Sequence, residues 1–140
     1  MRKSARALAK LGMTIDVVLT SPLVRTRQTA EIVASAFDPR PAIVNVEALA
    51  PGGNQANVLA ELEKHVRRGH IAIVGHEPGI GELAGRLSGM RHALELKKGA
   101  VAKVEMTGRR GSLHWLVTPK IARALQASRK VSSLPKTSRK

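Results

Sequence analysis

A chain of 140 residues is one domain by length, large enough for a single core. With no cysteine it has no disulfide or thiol chemistry, which suits a reducing compartment. It shows neither the apolar segment of a signal peptide nor the roughly twenty apolar residues of a membrane span, so it reads as cytoplasmic with no membrane partner. A formal net charge of +14 favours polyanions without naming one, and no zinc-finger spacing, aromatic RNA-binding platform or helix-turn-helix signature accompanies it.

Phe37 and Trp115 are the only aromatics, so the core must be built from Ala, Val, Leu and Ile. Residues 2–11 carry Ala5, Leu8, Ala9 and Leu11 on one face and Arg2, Lys3, Arg6 and Lys10 largely outward, an amphipathic helix that Gly12 is placed to close in a left-handed cap. The sequence starts inside this helix without a cap, and the expectation is a chain that has lost its beginning. Val17-Val18-Leu19 predicts a buried strand over 16–20. Ser21 is then an N-cap candidate and Pro22 a first helical residue, for a helix over 22–37 with Leu23, Thr26, Ala30, Val33 and Phe37 on its inner face. Asp38-Pro39-Arg40-Pro41 ends it, because a residue before proline is pushed out of the helical region.

Residues 42–46 predict a second short strand. After the loop at 50–53, Asn54 can cap a helix carrying Val58, Leu59, Leu62 and Val66, with Arg67, Arg68 and His70 suiting its C-terminal dipole. Ile71-Ala72-Ile73-Val74 is apolar on both faces, like an internal parallel strand covered by helices, and runs straight into Gly75-His76-Glu77-Pro78-Gly79. Ile80, Leu83, Ala84 and Leu87 mark a further helix that stops near Gly89. Residues 100–106 and 112–118 form the arms of a hairpin around a turn at 108–111. From Ala127 the chain is basic and acid-free, giving a domain at 1–126 and a mobile tail at 127–140 that could bind polyanions.

Strands alternating with helices before a hairpin predict an α/β fold: three layers, a mostly parallel sheet and flanking helices. Ligands of such sheets sit at the carboxyl ends of the strands, and Arg25 and His76 each follow a strand end. A guanidinium in a helix's first turns can grip two phosphate oxygens where the helix terminus already favours anions. A histidine between strand and helix can donate to a third oxygen. A solvated Arg25 and a His76 that only caps its turn are the alternatives. Glu77 is either a general acid or a carboxylate turned away. Lys97 and Lys98 carry no assignment, and His65, His70, His92 and His114 have no metal-ligand spacing, so no metal or cofactor is expected.

The run Ser21-Pro22-Leu23-Val24-Arg25-Thr26-Arg27-Gln28-Thr29-Ala30 resembles the second-arginine motif of the histidine phosphatase superfamily, and Val74-Gly75-His76-Glu77-Pro78-Gly79 resembles its second-histidine motif. The likeness is to the SixA-type phosphohistidine phosphatases and extends to about residue 120. It implies a phosphoglycerate-mutase-like fold and a phosphoryl group passed from substrate to a nucleophilic histidine and then to water. Arg25 and His76 become the second arginine and second histidine of the phosphate pocket. The implied partner is a phosphorylated protein, with phosphohistidine on a signalling protein first and small phosphate esters second.

In that family the nucleophile belongs to an Arg-His-Gly or Arg-His-Ala at the end of the first strand, and no such motif precedes residue 16 here. Arg91-His92-Ala93 has the letters but follows the second-histidine motif, in a loop after Gly89 with no strand before it, and is rejected. Three explanations compete: a sequence beginning at an internal methionine, a pseudophosphatase that binds phosphate without turnover, or a scaffold whose basic surface serves a polyanion. The first is favoured, which makes the 140-residue chain inactive and leaves the first strand missing. The expectation is therefore a gap between 71–75 and 99–106, or a direct pairing of Ile71–Val74 with Val101–Val104.

Overall fold

In the computed structural model, which describes residues 1–108 and 110–132, the three short apolar runs form one parallel sheet. Strand β1 (Val17–Thr20) lies in the middle, with β2 (Ala42–Asn45) on one side and β3 (Ile71–Val74) on the other. Thr20 sits opposite both Asn45 and Val74, so the three strands end level at their carboxyl edge. Side chains alternate across a strand. Val18, Ile43, Ala72 and Val74 accordingly share one cluster with Leu8, Ala30, Val33, Ala34 and Phe37. Val17, Leu19, Val44, Ile71 and Ile73 share the other with Val46, Leu49, Val58 and Leu83. Helices α1 (Arg2–Lys10) and α2 (Val24–Ser35) supply the first cluster, and α3 (Gln55–Glu63) and α4 (Gly79–Leu87) the second. Strands that are apolar on both faces need helices on both, and the result is the three-layer α/β architecture.

Local signals set most helix ends. Gly12 has φ +84°, its N–H bonds to the Ala9 carbonyl and the Met13 N–H to Leu8, a Schellman closure of α1. Asn54 Oδ1 accepts the Ala56 N–H at 2.7 Å and caps α3 as its position predicts. Other boundaries differ from the sequence expectation. Leu11 is 55% exposed, while Ala7 and Ser4 are buried in its place. α3 stops at Glu63, and Val66 is exposed in a separate 3₁₀ turn, Val66–Arg68. α2 begins at Val24 rather than at Pro22, because Leu23 is still extended (ψ 152°) as the chain leaves the sheet. Leu23 and Val24 are consequently 45% and 71% exposed, and Leu23 does not join the inner face.

Strands β4 (Val101–Thr107) and β5 (Arg110–Val117) form an antiparallel hairpin with its own two-stranded sheet. The register shifts between Lys103 and Val104, leaving His114 as the extra residue of a bulge. Thr107 pairs with Arg110, so the turn is tighter than the four residues expected. Helix α5 (Pro119–Ser132) follows, with the Thr118 hydroxyl accepting the Ile121 N–H at 3.2 Å and Ala122 buried beside Ala7 and Val117. It carries the chain in helical form past Ala127, where a mobile tail was expected. The remainder of that stretch, 133–140, lies outside the described residues.

Among the described residues β3 pairs only with β1 and β4 only with β5. Of the two arrangements expected between 71–75 and 99–106, the structure has the gap. β3 is therefore an edge strand, half-buried at all four positions, and not the internal strand its composition suggests. The hairpin nonetheless reaches the same core, since Val101 and Trp115 pack on the cluster that Ala72 and Val74 join. Among the described residues no helix is long and apolar enough to cross a membrane.

Candidate functional site

The level ends of β1 and β3 bring two loops together. The Ser21 N–H extends the ladder by one step, donating to the Val74 carbonyl at 3.1 Å. Two residues further along, the His76 ring lies against β1's exit, with Nε2 2.9 Å from Ser21 Oγ. Ser21 is fully buried and His76 half-buried, so one partner is fixed inside and the other borders solvent. Each remaining polar group of Ser21 is also engaged. Its carbonyl accepts the Thr20 and Thr26 hydroxyls at 2.9 and 3.0 Å, and its Oγ accepts the Leu23 N–H at 3.3 Å. Ser21 thus does not cap α2, where Leu23 holds the cap position without a side-chain bond. Sequence reading missed its contact with His76, for which a hydroxyl at the end of a buried strand was the available signal.

Arg25 is the second residue of α2, exposed, and among the described residues its guanidinium makes no hydrogen bond or ion pair. Arg27, two residues on, is committed: it donates to Asn45 Oδ1 at 3.1 Å and pairs with Glu31 at 3.2 Å. The first N–H groups of a helix have no intrahelical acceptor. In general such a helix start at the carboxyl edge of a parallel sheet can favour an anion, and Arg25 belongs to this first turn. The structure brings His76 to Ser21 and places Arg25 on the helix that follows Ser21; no contact joins Arg25 to His76 themselves.

Glu77 turns to its own helix, its Oε1 accepting the Gly81 N–H at 2.6 Å in the first turn of α4. A side chain at Gly81 would run into the Leu94 carbonyl, and one at Gly85 into that of His92, so α4 and the loop at 92–94 meet backbone to backbone. That packing places Arg91-His92-Ala93 in an exposed loop, as expected. The other histidines have separate surroundings. His70 Nδ1 is 2.9 Å from the Thr14 hydroxyl, His114 pairs with Glu105 at 3.0 Å, and among the described residues His65 Nδ1 is buried without a partner. Among the described residues no group of three or more His, Cys, Asp or Glu could hold a metal ion. Lys97 and Lys98 are exposed.

Comparison with known proteins points in one direction. The family model of the histidine phosphatase superfamily (branch 1) matches residues 1–50. An uncharacterised protein of Picosynechococcus sp. is 39% identical over 102 residues, which span 69% of this chain and 61% of that protein. The structure of the protein histidine phosphatase SixA complexed with tungstate is similar at a TM-score of 0.78 and 24% identity, covering 85% of this chain and 78% of that one. A candidate phosphohistidine phosphatase SixA from Agrobacterium tumefaciens gives 0.65 at 17% identity, covering 84% and 77%. A candidate alpha-ribazole-5'-P phosphatase from Escherichia coli gives 0.64 at 19%, covering 84% and 81%. At these identities the structural likeness is one of fold. Over its first 50 residues the chain thus matches the histidine phosphatase superfamily, and its fold is SixA-like.

Proposed function

We propose that the carboxyl edge of the three-stranded sheet is the phosphoryl-binding half of a phosphohistidine-phosphatase-like site. Arg25 grips two oxygens of the anion, and His76 donates to another. The observation that carries this reading is the pairing of His76 with Ser21 at the level ends of β1 and β3, one turn before an arginine with no partner among the described residues. The SixA likeness supports a phosphorylated protein carrying phosphohistidine as substrate. A small phosphate ester is the competing class, supported by the likeness to the ribazole-phosphate enzyme.

Covalent catalysis through histidine needs a second, nucleophilic imidazole beside the phosphate. In this sequence no Arg-His-Gly or Arg-His-Ala precedes β1, and His76 is held by Ser21. The 140-residue chain therefore binds phosphate without turning it over, which is also the behaviour of a pseudophosphatase. The test is hydrolysis of a phosphohistidine peptide and of para-nitrophenyl phosphate. The chain alone should hydrolyse neither. A fusion that adds an upstream strand ending in Arg-His-Gly should gain turnover and lose it when the added histidine is replaced. A phosphohistidine intermediate on the 140-residue chain itself, abolished by His76→Ala, would contradict the proposal.

A further inference from the structure

We infer that Ser21 is a positioning residue that fixes the tautomer of His76, so that the neutral ring offers its proton from Nδ1. Ser21 is fully buried, and its hydroxyl proton has to find an acceptor or be left unpaired away from water. Its Oγ already accepts the Leu23 N–H. Among the described residues the other group within hydrogen-bond distance of Oγ is His76 Nε2, at 2.9 Å. The hydroxyl therefore donates to Nε2, which must be the ring's lone-pair nitrogen, and the proton of the neutral imidazole lies on Nδ1. The reverse arrangement, Nε2–H donating to Oγ, would leave the serine proton without an acceptor in a closed space.

Ser21 is held tightly enough to impose this choice. Its N–H is bound by the Val74 carbonyl, and its own carbonyl by the hydroxyls of Thr20 and Thr26. Those bonds fix the serine's backbone and the Leu23 N–H holds its Oγ at 3.3 Å, so the oxygen is presented to the ring from a set position. Any anion that the neutral His76 holds is held from Nδ1–H. The inference uses the phosphate-pocket reading for the identity of that anion, and nothing else in it depends on that reading.

The experiment is ¹⁵N spectroscopy of the imidazole nitrogens in the full chain, at a pH where the ring is neutral, with His76→Gln used to assign the resonance. Wild type should show His76 protonated at Nδ1. Ser21→Ala should move the proton towards Nε2, the nitrogen an isolated imidazole prefers, and weaken tungstate binding by about tenfold, the effect of misplacing one hydrogen bond to a charged group. Ser21→Thr, which keeps the hydroxyl, should restore Nδ1–H. A wild-type ring protonated at Nε2, a result that needs no variant to fold, would overturn the inference. So would a Ser21→Ala protein whose tautomer is unchanged. If the tautomers behave as expected but wild type binds no tungstate, the role of Ser21 stands and the phosphate-pocket reading fails.

Discussion

β1 and β3 are alike in composition and unlike in circumstance. Val17-Val18-Leu19-Thr20 is at most 1% exposed and paired on both sides, whereas Ile71-Ala72-Ile73-Val74 is half-buried and paired on one. Side-chain type sets which faces a strand must cover, but the neighbours it finds decide how much of it is covered. The same contrast reaches the site. The enclosed strand delivers a serine locked by its surroundings, and the edge strand delivers a histidine that still borders solvent. A pocket that must hold one group still and leave another reachable is served by that pairing.

Hydrogen exchange should show the contrast most strongly. Every amide of β1 has a ladder or equivalent partner and should exchange only on global unfolding. Alternate amides of β3 face away from β1 and should exchange about 10³-fold faster or more, given a domain stability of at least about 5 kcal/mol. Uniform protection along β3 would mean that its outer edge is covered in solution. A smaller effect is expected in urea unfolding. Leu19→Ala should cost about 3–5 kcal/mol and Ile73→Ala about 1–3 kcal/mol, since the half-buried site leaves a shallower cavity. Equal costs would break the comparison.

Local chemistry made much of the fold legible. The short continuous apolar runs, Gly12 as a left-handed cap and Asn54 as an N-cap all act over a few residues, and each is found where the sequence puts it. What was not legible depended on distant partners. Ser21 reads as a helix cap because serine before proline usually is one, and only the register of β1 against β3 brings it to His76. Val66 fits the period of α3 but falls beyond its end. Helix α5 was missed, although Thr118-Pro119 is a helix-start signal, because Ala122 gains its burial from Ala7 on α1. Of the two arginines in the first motif, the resemblance chose Arg25. In the structure the other one, Arg27, is bound to Asn45 and Glu31.

The central claim is that Arg25 and His76 serve one anion, and tungstate titration of wild type, Arg25→Ala, His76→Ala and the control Arg27→Ala tests it most directly. Each charge-assisted hydrogen bond to a bound oxyanion is worth about 1.5–3 kcal/mol. Arg25→Ala and His76→Ala should therefore each weaken binding by about tenfold or more, with their unfolding midpoints near that of wild type. Arg27→Ala should bind as wild type does and lose at most about 1 kcal/mol of stability, as for an exposed ion pair. Wild-type affinity in either Arg25→Ala or His76→Ala would contradict the claim.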